Sequence, residues 1–283
     1  MIGVGTWAAE ASTTVVKWDS FGTIPPLGPV IPYVGAWELG LPQPFANVDI
    51  LEAQFGWKLN ILHWYAGYDM VFPGTYHQAF LTAHARGAIP MLSLGPITGS
   101  QTLQNITNGV VDGYLHAWAQ GIASLPFDIF VRPMWEMNDP NSNYAWCIGV
   151  NGNVAADFAP AWQHIVNLFT ADGATNCIWV WCPNVTYTGT APLADIWPGA
   201  DYVDWTGMDI YNATEAGGTW LGFSDAVDNA SFTSYSTTIA LAPTKPFMFG
   251  VIGCGEAGVS KEVWITEAFD AIRRAYTNFR AVV

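Results

Sequence analysis

The stretch KPFMFGVIGCGEAG (residues 245–258) carries the reading of the fold. From Pro246 to Gly253 its side chains are apolar almost without a break, and it then leaves through two glycines toward one carboxylate, Glu256. A strand with one wet face alternates apolar and polar residues. A near-continuous apolar run is what a parallel strand shows when both of its faces are covered.

Seven further runs of this kind lie along the chain: IPYVGAW (31–37), LNILHWY (59–65), AIPMLSL (88–94), FDIFVR (127–132), CIWVWC (177–182), VDWTGMDI (203–210) and FRAVV (279–283). Between them apolar residues recur at three- and four-residue steps, as on one face of a helix. Val110, Val111, Tyr114, Leu115, Trp118 and Ile122 do so over 109–124, and Phe158, Trp162, Ile165, Val166 and Phe169 over 155–170. Val263, Trp264, Ala268, Ile272 and Ala275 repeat the pattern over 261–276, with Ser260 placed to cap the first turn. Only the segment between the fifth and sixth strands is too short for a long helix. Eight strands alternating with helices predict an α/β chain folded as a single (β/α)8 TIM barrel over 31–283, its eighth strand truncated at the C-terminus. A doubly wound open sheet is the competing architecture, but no glycine-rich phosphate loop follows the first strand. Residues 1–30, rich in Thr, Gly and Pro, read as a leader or linker.

The bulk chemistry narrows the partners. Nine Lys and Arg stand against 23 Asp and Glu, a net charge of −14, so the basic footprint of a nucleic-acid binder is missing. No apolar run reaches the roughly 18 residues of a membrane span. No secretory signal is visible at the N-terminus, so the chain is read as a mature or excised domain, extracellular or surface-exposed, or else as one that stays inside. The four cysteines have no zinc spacing, and Cys177 and Cys182 fall on opposite faces of one strand, where they would not bond to each other. No cofactor or metal is expected. Fifteen tryptophans are many for so few charges. Some fill the core, and others are free to stack on sugar rings.

A parallel barrel carries its site at the C-terminal ends of the strands. Glu38, His63, Asp69, Arg132, Glu136, Asn138, Asn184, Asp209, Tyr211 and Glu256 fall there. Carboxylates, amides and aromatics without a metal or serine-nucleophile pattern suit glycoside hydrolysis, in which two acids flank the scissile bond. The densest local signal is IFVRPMWEMND (129–139). Glu136 needs an apolar setting to hold a proton near neutral pH, and Met134, Trp135 and Met137 could supply one. Alternatively Glu136 pairs with Arg132 as a loop brace.

The R-P-M-W-E-M-N of this stretch resembles the R-P-x-H-E-M-N motif of glycoside hydrolase family 26, retaining barrel enzymes best known as endo-β-1,4-mannanases. HWY (63–65), GAIPMLSLGP (87–96), NGVVDGYLHAWA (108–119), GVNGN (149–153), WVWCPN (179–184), YVDWTGMDIYN (202–212) and KPFMFG (245–250) are similar to family segments in the same order. The resemblance implies a polysaccharide or oligosaccharide substrate and Glu136 as acid/base. It implies substrate-side roles for His63, Trp146, Trp181, Asn184 and Tyr211, the last matching the tyrosine that hydrogen-bonds the nucleophile, and Trp64, Arg132, Trp135, Asn138 and Asp209 are further substrate-side candidates by their place near the strand ends.

The departures are informative. Trp135 stands where the family has His, and Asn143 where it has a stacking tryptophan, beside a small insertion. The family pattern K-P-x-M-x-x-E, laid on KPFMFGV, puts the nucleophile at Val251, which cannot attack an anomeric carbon. Glu256, the other catalytic candidate, lies five residues on. That is about 16 Å of extended chain, so it serves only if Gly253 and Gly255 turn it back. Asp209 is a further candidate for second acid, or else a carboxylate that orients its neighbours. A barrel that binds glycan without cutting it, as part of a larger surface or phage-tail protein, is the alternative function.

Overall fold

The computed structural model describes residues 33–38, 40–70, 72, 74–212, 220–255 and 261–283. The expected leader (1–30), the Ser260 cap and Glu256 lie outside them. Strands β1 (Tyr33–Trp37), β2 (Ile61–Ala66), β3 (Ile89–Leu94), β4 (Ile129–Pro133), β5 (Cys177–Trp181), β6 (Trp205–Asn212), β7 (Phe247–Cys254) and β8 (Phe279–Val282) form a closed parallel barrel in chain order. The short β8 still pairs on both sides, with β7 and with β1. Around the barrel run α1 (Ala46–Phe55), α2 (Gly74–Ala85), α3 (Leu103–Thr107), α4 (Asp112–Ala123), α5 (Ala155–Ala171), α6 (Phe223–Val227), α7 (Ser234–Leu241) and α8 (Lys261–Ala275). The crossover from β5 to β6 holds only the short 3-10 turns Leu193–Ile196 and Ala200–Tyr202.

One helix starts later than its periodicity predicts. Gly109, at φ 75, turns the chain between α3 and α4. The helix therefore begins at Asp112, and Val110 is left exposed rather than joining the apolar face.

Side-chain alternation sorts each strand into two layers. On β5, Ile178 and Val180 enter the barrel interior, where they meet Ile61, Met91, Phe130 and Met248. Cys177, Trp179 and Trp181 instead join the cluster between sheet and helices. The next residue, Cys182, is interior, so Cys177 and Cys182 do face opposite ways, and none of the four cysteines is in a disulfide. Among the described residues no helix is long and apolar enough to cross a membrane.

The β6–β7 ladder has one irregularity that matters for the site. Met208 pairs with Phe249, but Asp209 pairs with Val251, so Gly250 is passed over. Two consecutive residues of β7 thereby come to the inner side, as happens at a bulge. Phe249 and Ile252 remain in the helix-facing cluster on either side of them.

Candidate active site

A buried polar layer crosses the barrel just below its C-terminal rim. The Arg132 guanidinium, fully buried at the end of β4, donates from Nε to Ser93 Oγ (2.8 Å) and from Nη1 to Asp209 Oδ1 and Oδ2 (2.5 and 2.6 Å). Its Nη2 reaches the Tyr65 hydroxyl at 3.3 Å. Cys182 Sγ donates to Asp209 Oδ1 at 3.1 Å, and His63 Nε2 contacts Ser93 Oγ at 2.7 Å. Five strands, β2 to β6, thus meet in one network. Burial opposes the charge on Arg132, but Asp209 offsets it and keeps the guanidinium above its ordinary range. Burial pushes the Asp209 carboxyl up, against the pull of Arg132. Burial and the neighbouring guanidinium hold His63 well below the usual histidine value, so its ring is neutral.

Above this layer the chain leaves β4 in a tight, unusual path. Met134 and Glu136 both have left-handed backbone, at φ 51 and 55. Such geometry costs a non-glycine residue about 1 kcal/mol or more and persists only where the surroundings impose it. Here Met134 N–H donates to Leu94 O (3.1 Å) and Glu136 N–H to Cys182 O (3.0 Å), which bolts the loop to the ends of β3 and β5. Asn138 and Asn184 exchange reciprocal bonds of 2.9 and 2.8 Å and tie the same loop to the one after β5.

Glu136 is thereby held over the barrel mouth, 9% exposed, with Met134 and Met137 fully buried beside it. Its carboxyl lies beside Asp209, and Oε2 accepts from Ser142 Oγ at 2.7 Å. Burial pushes the carboxyl up to about 7, with the charge of Asp209 adding to it, while the Ser142 bond and Arg132 pull the other way. The hydrogen-bonded partner of Arg132 is Asp209, so Glu136 is not its brace.

Aromatic rings line the rim around it. Trp135, set against the Arg132 guanidinium, meets Tyr65, Tyr144 and Trp146 edge-on, at centroid distances of 5.0, 5.0 and 4.7 Å. Trp37 continues the row beyond Tyr65 and is 51% exposed, as is Tyr211 on the opposite side, at 57%. Aromatic faces open to solvent around a buried carboxyl are suited to the apolar faces of sugar rings.

The sequence pattern of glycosyl hydrolase family 26 matches residues 98–239, half of the chain, across the β4 acid, the β5 end and the β6 tyrosine. The chain belongs to glycosyl hydrolase family 26. Endoglucanase H of Acetivibrio thermocellus is 33% identical over 262 residues, 88% of this chain. The match covers 27% of that protein, so the chain spans about a quarter of the length of its curated relative. The barrel is also similar to the family 26 domain of a Prevotella bryantii endo-β-mannanase/endo-β-glucanase, with a TM-score of 0.64 at 18% identity. That likeness covers 89% of this chain and 84% of the other. The YdhT protein of Bacillus subtilis has the same TM-score at 20% identity, over 89% and 79%.

Against the family's site, the structure divides the residues singled out from sequence into three groups. Glu136, Trp135 and Tyr211 stand at the mouth. Arg132, Asp209, Asn138 and His63 are fully buried, and they support the mouth rather than line it. Asn184 and Trp146 also act as supports, the latter donating from Nε1 to Trp135 O at 2.8 Å. Trp64 and Trp181 are corrections. Both are fully buried on the helix side of the sheet, Trp64 against Phe80 and Trp181 against Trp197, where no substrate reaches. Strand alternation identifies the residue missed on β2: if His63 points inward so does Tyr65, and Trp64 between them cannot. Trp37 and Ser142 were also missed, since neither carries a pattern of its own.

Val251 pairs in register with Asp209 and so shares the inner face with it. Gly250 leaves room for the ion pair below, because a Cβ there would lie 2.7 Å from Arg132 Nη1 and 2.8 Å from Asp209 Oδ1. Asp209, committed to Arg132 and in contact with Glu136, is not free to stand across a scissile bond from it.

Proposed function

We propose that this chain is a glycoside hydrolase acting on a β-linked polysaccharide, by the retaining route with Glu136 as acid/base. The observation that carries the reading is the buried Glu136 carboxyl raised to about 7, which lets it hold a proton for the leaving oxygen and later take one from water. Mannan is the default substrate. The names of the relatives, an endoglucanase and an endo-β-mannanase/endo-β-glucanase, make β-glucan the first competitor. The retaining route needs a second carboxyl about 5–5.5 Å away, and in this reading Glu256 supplies it. The chain would work outside the cell or at its surface.

Val251 on the inner face favours a second reading, a barrel that holds glycan and does not cut it, as a module of a larger surface or phage-tail protein. Reducing-end release and binding on mannans, β-glucans, xylans and arabinans separate the two. Release that disappears in both Glu136→Gln and Glu256→Gln is expected for the enzyme. Binding without release, with activity created by Val251→Glu, would favour the second reading. Neither binding nor release on any glycan would refute both.

A further inference from the structure

Resting on the reading of the barrel mouth as a glycan site, we propose that Tyr65 is a further substrate-binding residue: Arg132 occupies its phenol oxygen from below, and the phenol hydrogen donates to one sugar hydroxyl.

Tyr65 stands two residues after His63 on β2, so both side chains enter the barrel. Its hydroxyl lies 3.3 Å from Arg132 Nη2. A guanidinium carries N–H donors and no acceptor, so the phenol oxygen can only accept at this contact. Arg132 is fixed in that role through its other nitrogens, which donate to Ser93 and Asp209. The phenol hydrogen is therefore left over. Burial pushes the phenol up to about 12, so that hydrogen is in place throughout the neutral range.

Among the described residues, Arg132 is the sole hydrogen-bond partner of the hydroxyl. His63 Nδ1, on the ring 4.6 Å from that of Tyr65, has no partner and so does not take the hydrogen. The Asp209 carboxylate is already used by Arg132 Nη1, Cys182 and the Glu136 carboxyl. The direction that remains is the mouth. Trp37 and Trp135 meet the Tyr65 ring edge-on at 6.4 and 5.0 Å, and the guanidinium lies 5.8 Å from its centre. The phenol of Tyr211, on the opposite side and half-exposed, is pushed up by burial and then by Tyr65, so the two hydroxyls share one opening. A pyranose has C–H groups on its faces and hydroxyls around its edge. Laid on the exposed Trp37 indole, it turns such an edge toward Tyr65. Water takes the hydrogen until a sugar hydroxyl replaces it.

The test is a cycle between protein and ligand. Mannotetraose, cellotetraose and their monodeoxy derivatives, each lacking one hydroxyl, are titrated calorimetrically in Glu136→Gln, with and without Tyr65→Phe. Tyr65→Phe is expected to weaken binding of the intact tetrasaccharide roughly 3- to 10-fold, the worth of one neutral hydrogen bond. One deoxy derivative should bind weaker by the same factor when Tyr65 is present, and lose nothing further in Tyr65→Phe. Tyr65→Phe also takes an acceptor from Arg132, but that loss acts on every ligand alike. If Tyr65→Phe does not fold, 4-fluorophenylalanine at position 65 carries the same cycle, since its fluorine fills the place of the oxygen and bears no hydrogen. No loss of affinity, or an equal loss across the whole series, would overturn the proposal and leave the glycan reading standing. If neither tetrasaccharide binds, the glycan reading fails and the Tyr65 proposal with it.

Discussion

Adding one methyl group at Gly250 tests whether the Arg132–Asp209 pair is the rigid floor of the site. Gly250 has no positive φ, so alanine there meets no backbone penalty and the whole effect is steric. Its Cβ would lie 2.7 Å from Arg132 Nη1, 2.7 Å from Cys182 Sγ and 2.8 Å from Asp209 Oδ1. Relaxed contacts sit at about 3.5–4.0 Å, so three atoms must each give way by roughly 0.7 Å or more. None is at the end of a free side chain. Arg132 and Asp209 are fully buried and bond to each other at 2.5 Å. Overpacking a core costs about 1–3 kcal/mol, and breaking a buried pair outright about 3–5 kcal/mol. We expect Gly250→Ala to cost about 3 kcal/mol, between these limits. For a chain of this size, at roughly 2–4 °C per kcal/mol, the melting temperature would fall by roughly 6–12 °C. Gly253→Ala is the internal control, since its Cβ would come only within 3.2 Å of the half-exposed Tyr211 ring, which can swing aside. Calorimetric melts of the two variants beside the parent decide the matter. If Gly250→Ala melts within about 2 °C of the parent, or no lower than Gly253→Ala, the floor has slack and the reasoning fails.

Three further outcomes are expected. The folded-state value of Glu136, about 7 against an ordinary 4.5, means the folded protein holds that proton more tightly than the unfolded chain. Its contribution is full below pH 4.5 and is lost as pH rises to 7, so above pH 7 Glu136→Gln should be more stable than the parent by roughly 3 kcal/mol. Denaturant unfolding of both proteins at pH 4.5 and pH 8 measures it, and a gap that does not widen with pH contradicts it. Trp64→Ala should cost about 3–5 kcal/mol of stability, as deletion of a buried tryptophan does. Trp37→Ala should leave the melt unchanged and weaken glycan binding roughly 2- to 10-fold. Melting and affinity electrophoresis on soluble glycan would expose an error if the two effects changed places.

Most of the fold is legible in the chain because the strands are apolar runs and the helices α4, α5 and α8 are apolar stripes. These are local patterns, and they place all eight strands to within two residues. The Glu136 loop is legible too, because Pro133 and the apolar neighbours of Glu136 are contiguous in sequence. What was misread depended on facing. Trp64 and Trp181 look like sugar platforms because they sit at strand ends, yet alternation turns both outward. The bulge at Gly250 has no signature of its own, since a glycine in a strand fits an ordinary position as well as a passed-over one.

By itself, then, the sequence determined a parallel barrel of family 26, an acid at the end of β4, and a valine where the family pattern has its nucleophile. Only the tertiary structure decided that Arg132 belongs to Asp209 rather than to Glu136, 77 residues separating the ion pair along the chain. It also decided that Val251 shares a face with Asp209, and that one serine hydroxyl lies between two carboxyls. Each is a relation between side chains on different strands or loops. Burial and charge act through distance in space, which no spacing along the chain contains.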